Sequence, residues 1–287
     1  MSDQNLSLGR LAGLACLWEV CASKPGNVHR GADFDDLTFV DFAASAVAIG
    51  PSFDAAAQGA RLGQIVLGAV QATRAAVNTN TNLGAILLMA PLAMAAGEAT
   101  LREGVAPVLG SLDSADARLV YEAIRLAHPG GLGKVEEADV AGEPPADLLY
   151  AMRLAAERDL VARQYVNGFR EVFDVIVAEI QEGQDRGQPL GQTIVRAQLR
   201  LMSEFPDSLI ARKCGPAVAE RSAVLAAAAL AAGQPGDEAY HRAVADFDFW
   251  LRSDGHRRNP GTTADLVAAG LFAALLEGAI TLPVKFY

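Results

Sequence analysis

Cysteine is scarce in this chain: its 287 residues include three, Cys16, Cys21 and Cys214, and no two form a Cys-x-x-Cys pair. So small and odd a set gives no disulfide framework and fits thiols packed as small hydrophobes in a reducing cytoplasm. The four histidines, at 29, 128, 241 and 256, are scattered and never four apart, which argues against a zinc site. A basic patch is missing as well. The net charge is −10, and cations come singly or in short clusters such as Arg257-Arg258. Nucleic acid and anionic membrane are thereby set aside as main partners, because both call for a compensating basic surface.

Long apolar runs are absent too. The longest, LGAILLMAPLAMAA at 83–96, falls short of the roughly 20 residues that span a bilayer and has Pro91 inside it. The N-terminus MSDQNLSLGR has no basic segment leading into an apolar one, so no signal peptide is expected. Together these readings predict a soluble, cytoplasmic protein.

What is present is a chain 51% hydrophobic and 20% charged, enough to bury a sizeable core. Apolar residues recur at helical spacing almost throughout, while β-branched alternation is nearly lacking. Helices are expected at 7–22, 37–49, 54–76, 83–97, 114–127, 147–182 with a break near Asp159, 188–204, 216–233, 236–252 and 263–278. Asp35 or Asp36 is the expected cap for the second, Ser114 for the fifth, and Thr262-x-x-Asp265 reads as a capping box for the last. The predicted fold is all-α: a single compact multi-helix domain over residues 1–287, with a polar active site formed by helix termini and loops. The Ala-rich face at 223–232 either packs internally or forms a homodimer, and a homodimer is weakly preferred.

The common nucleotide and hydrolase signatures do not occur: no GxxxxGK[ST], no GxGxxG after a strand, no HExxH, no GxSxG. Polar residues instead gather at helix ends. KPGNVHRGADFDD (24–36) puts three cations before three carboxylates around a Pro-Gly break, and NTNTNLG (78–84) opens an apolar helix. PGGLGKVEEADV (129–140) sits in the longest irregular stretch, NPGTTADL (259–266) opens the last helix, and PDSLIARKCG (206–215) adds Asp207, Arg212 and Lys213. Each is by itself an ordinary cap or turn. As a set, helix N-termini, Asn/Thr donors, cations and carboxylates suit a polyphosphate with Mg²⁺, held without a P-loop.

KPGNVHR (24–30) with the Asp-Phe-Asp-Asp after it, NTNTNLGAILLMAPLA (78–93), Asp207-x5-Lys213-x-Gly215 and NPGTTADLVAAGLF (259–272), in that order, resemble the triphosphoribosyl-dephospho-CoA synthase family over about residues 10–280. The resemblance implies an all-helical transferase in which the ribose 2′-hydroxyl of 3′-dephospho-CoA attacks C1′ of the ATP ribose and adenine leaves. The product is the precursor of a lyase or decarboxylase carrier's prosthetic group. Loss of the N-glycosidic bond builds positive charge on the ribose ring, which carboxylates stabilise as they do in glycosidases.

On that basis Lys24, His29, Arg30 and Lys213 are expected to bind phosphate, and Asn78, Asn80, Asn82, Asn259 and Thr262 to bind ribose or phosphate. Asp33 and Asp36 are expected to hold Mg²⁺ or activate the acceptor hydroxyl, and Glu137 to stabilise ring charge or act as a second metal ligand. The chain departs from the pattern of better-known members, which have Thr-His-Lys where Thr81-Asn82-Leu83 stands and Gly-Ala-Arg-Gly-Glu near 131–137. The acceptor side therefore departs more than the ATP side. Ribosyl or phosphoribosyl transfer to another cofactor precursor such as a one-carbon carrier pterin, Mg²⁺-dependent hydrolysis of a nucleotide or ADP-ribose linkage, and non-catalytic nucleotide binding stay open as alternatives.

Overall fold

A computed structural model describes residues 6–130 and 137–287. In chain order it contains α1 (Leu8–Cys21), α2 (Phe39–Ala48), α3 (Gly50–Asp54) with the 3-10 turn Ala55–Gln58, α4 (Leu62–Val77), α5 (Leu83–Met94), α6 (Leu101–Gly110) and α7 (Ser114–Ala127). Next come α8 (Leu148–Ala155), α9 (Leu160–Asn167), the π-helical stretch Val172–Val177 running into α10 (Ala178–Asp185), α11 (Leu190–Glu204) and α12 (Ser208–Cys214). The chain then forms α13 (Pro216–Ala231), α14 (Glu238–Arg252) and α15 (Gly261–Leu276). The expected all-α fold is what forms; among the described residues one short extended segment, Ser253–His256, interrupts it. No helix among them is long and apolar enough to cross a membrane.

Two helices that are apolar all round, α5 and α15, lie in the middle, because a helix with no polar face is stable only when neighbours cover every side. α15 packs against α1, α5, α11 and the π-helical stretch. Pro91 in α5 has no N–H to give the carbonyl four residues back, that of Leu87. The Tyr165 hydroxyl from α9 donates to that carbonyl instead, at 2.6 Å. A second, smaller core joins α11 to α14 around Leu199, Met202, Ile210, Tyr240, Phe247 and Leu251.

Several caps differ from expectation. Neither Asp35 nor Asp36 caps α2; Thr38 and Asp41 form its capping box, and the helix starts at Phe39. Asp113, one residue before Ser114, caps α7. α6 and α12 were missing from the periodicity: the first carries Pro107 and two glycines, and the second is a short helix inside a polar tract. The segment 147–182 does break at Asp159, which caps α9 through Val161 and Ala162 N–H, and it breaks again at Gly168 (φ 72°).

Candidate functional site

The turn Lys24-Pro25-Gly26-Asn27 ties three distant elements together. Gly26 has φ 74°, and a Cβ there would lie 2.7 Å from Leu251 Cδ1, so the left-handed turn and its close packing both require glycine. Gly26 N–H donates to Asp248 Oδ1 (2.7 Å), which also accepts from Arg252 Nε (2.8 Å). Asn27 accepts from Gln198 Nε2 of α11 (2.9 Å) and donates to Asn259 Oδ1 (2.6 Å), just before α15. The KPGN and NPGTT segments are thus in direct contact across more than two hundred residues.

The start of α5 meets α15 in the same region. Asn80 Oδ1 accepts from Leu83 N–H (3.2 Å), and Ala85 N–H donates to Asp265 Oδ1 (2.9 Å). Asp265 therefore caps α5, not its own helix, and the expected Thr262/Asp265 box does not form. Thr262 Oγ1 pairs with Ser208 Oγ (3.1 Å), while α15 receives its cap from Asp207, whose Oδ2 accepts from Thr263 N–H (2.7 Å) and Thr263 Oγ1 (2.8 Å). Asp207 Oδ1 also caps α12. With four donors on one fully buried carboxylate, Asp207 is a staple between two helices.

Around these ends lies a cleft of about 730 Å³, within the range of small-molecule sites. The first turn of α5, the end of α7, residues 137–141, α8, the α8–α9 junction, α12 and residues 259–265 wall it. Of the expected residues, Asn80, Asn82, Glu137, Lys213, Asn259 and Thr262 line it together. The segments at 78–84 and 259–265 do converge, as the helix-end reading required, and the turn at 24–27 supports them. Asn82 is 7% exposed; its Oδ1 accepts from Thr73 Oγ1 (3.1 Å), but its Nδ2 has no partner among the described residues. A buried amide donor left unpaired costs about 1–3 kcal/mol, a cost that a ligand oxygen would remove. The ammonium of Lys213 is likewise without a partner among the described residues.

The other expected residues stand elsewhere. Lys24 is completely buried and bonded to Glu19, with Nζ 2.7 Å from both Oε1 and the Glu19 carbonyl, so its charge is neutralised inside the fold. His29 is half-buried, accepts from Gly31 N–H at Nδ1, and is held at about 4 by burial and by the nearby Arg252 and Lys24 cations. It is neutral at pH 7 and supplies no phosphate-binding charge. Arg30 is exposed and rests 4.7 Å over the Tyr287 ring. Asp33 accepts from Phe39 N–H (2.6 Å), and Asp36, 67% exposed, pairs with His256 Nδ1 (3.0 Å). Neither lines the cleft, so the expected Asp33/Asp36 metal pair does not form there. Asn78 is the exposed, left-handed C-cap of α4. Among the described residues no group of three or more His, Cys, Asp or Glu side chains is placed to hold a metal. The glycines at 131 and 133, with Lys134 and Glu136, lie outside the described residues.

Comparison with known proteins now decides the family. Residues 5–282 match the family described as ATP:dephospho-CoA triphosphoribosyl transferase (CitG). The chain belongs to this family. It is a transferase that moves a triphosphoribosyl unit from ATP to dephospho-CoA. A solved structure from Archaeoglobus fulgidus, described as a candidate triphosphoribosyl-dephospho-CoA synthase, is 30% identical, covers 83% of this chain and 99% of its own, and superposes with a TM-score of 0.65. No curated protein matches significantly.

For a transferase of this kind the cleft holds more than the motifs indicated. Arg158 and Arg212 join Lys213 on its wall; Arg212 Nη1 is paired with Asp159 Oδ2. Glu19 and Asp265 also line the cleft and supply carboxylates. Glu19 had one signal in the sequence, an acid on the apolar side of α1. Asp265 was visible only as a helix cap.

Proposed function

We propose that the transfer takes place in this cleft, with the ATP triphosphate toward Lys213, Arg158 and Arg212 and the ribose toward Asn80, Asn82, Asn259 and Thr262. The unpaired Asn82 amide is the observation that carries this reading. It is buried, its residue lines the cleft, and a ribose hydroxyl or ring oxygen would complete it. Wall residues such as Leu87, Ile124, Leu148 and Met152 offer the apolar surface that a departing purine would leave.

Magnesium needs no protein cage here, since it binds through one or two carboxylates plus substrate phosphates. Glu137, on the cleft wall and accepting from the Tyr150 hydroxyl, is the carboxylate we assign to it, in place of Asp33 and Asp36. Bound Mg²⁺ would neutralise triphosphate charge. The three free thiols and the use of ATP support a cytoplasmic setting. The exposed side of α13, with Val224 58% exposed, supports a homodimer.

The test is incubation with ATP, Mg²⁺ and dephospho-CoA, followed by mass analysis. Adenine and a triphosphoribosylated dephospho-CoA should appear together, and adenine only when the acceptor is present. Equal adenine release without dephospho-CoA would replace transfer by hydrolysis.

A further inference from the structure

Asp265 reaches across from α15 and places its carboxylate on the first turn of α5. Oδ1 is held by Ala85 N–H at 2.9 Å, while Oδ2 lies against Gly84 and has no hydrogen-bond partner among the described residues. The residue lines the cleft beside the unpaired Asn82 amide. This placement bears on how the substrates lie. A helix N-terminus ordinarily attracts phosphate, but here the Asp265 carboxylate has already taken it. The triphosphate is better matched by Lys213, whose ammonium is unpaired among the described residues and lines the same cleft. What fits beside Asp265 is an uncharged, hydroxyl-bearing part of a substrate.

We infer that Asp265 is the general base of the transfer, taking the proton from the attacking 2′-hydroxyl of the acceptor ribose; the inference rests on the reaction reading above. As that O–H bond breaks, the oxygen forms its bond to C1′ of the ATP ribose and the bond from C1′ to adenine N9 breaks. Its electron pair leaves with adenine, which takes up a proton from solvent, while Asp265 later returns its own to solvent. The same carboxylate faces the ring carbon on which positive charge develops. Burial, with the charges of Glu19, Asp207 and Asp159 nearby, lifts this carboxyl well above the usual range, which raises its basicity. The groups around it are Cys16 and Glu19 on α1, Asp159 before α9 with its Arg212 partner, and Asp207 before α12.

Asp265→Asn keeps an oxygen for Ala85 N–H but removes the base. Its kcat/KM for triphosphoribosyl transfer should fall by tenfold or more, within the ~10²–10⁴ of general-base loss. The acid limb of the wild-type pH profile should vanish from the residual rate, and the Kd for ATP should stay within about threefold of wild type, because the phosphates bind at Lys213 and not at Asp265. A smaller loss, or an acid limb that survives the substitution, overturns the inference. Where D265N does not fold by circular dichroism, the wild-type profile decides: an acid limb above the ordinary carboxylate range supports it, and a profile flat from pH ~5 to ~8 overturns it. Wild-type enzyme that releases no adenine with dephospho-CoA brings down the reaction reading and this inference together. Active wild type beside an equally active variant brings down the inference alone.

Discussion

Lys24 and Glu19 form an ion pair closed off from water: Nζ lies 2.7 Å from Oε1, the lysine side chain is 0% exposed and the glutamate 9%. Glu19 belongs to α1 and lines the cleft, so the pair adjoins the site. Burying two charges is costly, and removing one partner is costlier than replacing both, because it strands a charge. Lys24→Met should therefore lower the unfolding free energy by about 3–5 kcal/mol. The Glu19→Gln, Lys24→Met double variant should lose clearly less than the sum of the singles. Urea denaturation checks both. A variant of normal stability with a raised KM for ATP would return Lys24 to phosphate binding.

Gly84 is helical, and by propensity alone alanine would suit it better by roughly 1 kcal/mol. Yet a Cβ at this position would overlap the Asp265 carboxylate. Gly84→Ala should therefore destabilise the protein by about 1–3 kcal/mol, as overpacking does, and reduce transfer activity with it. Thermal unfolding and adenine release measure the two effects. An alanine variant that is more stable and fully active would mean that Asp265 does not sit on this turn.

His29 is held at about 4, below its ordinary 6.5, mainly by burial and then by the Arg252 and Lys24 cations. A depressed histidine favours the folded state when neutral. Its contribution is complete above the unfolded value near 6.5 and is lost as pH falls toward about 4. The imidazole resonances should titrate near pH 4 in the folded protein, and part of the acid destabilisation should disappear in His29→Gln. A midpoint near 6.5 would contradict the placement of His29 against Arg252.

The helical class and the converging helix ends were legible in the sequence because both are local. Spacing of apolar residues announces helices, and Asn, Thr, Gly and Pro announce their starts, as at 78–84 and 259–263. What each charge faces was not legible. Lys24 stands in a loop full of ions and looks solvated, but it turns inward to a glutamate on an apolar helix face. Asp265 stands where a capping residue for α15 would, yet it caps α5, nearly two hundred residues away in the chain. Asp33 and Asp36 form a carboxylate cluster in the sequence, but tight turns at 29–32 and 34–37 point them to Phe39 and His256. Pairing of buried charges is settled in three dimensions, and the cleft brings together Asn82, Lys213 and Asp265.

Lys213 differs from Lys24 in each respect that matters for binding an anion. It lies in the last turn of α12, lines the cleft, is half-buried and has no ion pair among the described residues. A charge-assisted hydrogen bond to phosphate contributes about 1.5–3 kcal/mol, which corresponds to roughly 10–150-fold in affinity. The triphosphate keeps its charge throughout the reaction, so this contact is equally strong in ground and transition states and should appear in KM with little change in kcat. Lys213→Met should thus raise the KM for ATP by at least about tenfold, fold normally, and weaken the salt dependence of ATP binding. An unchanged KM would move the triphosphate away from α12, and with it the orientation that brings the acceptor hydroxyl to Asp265.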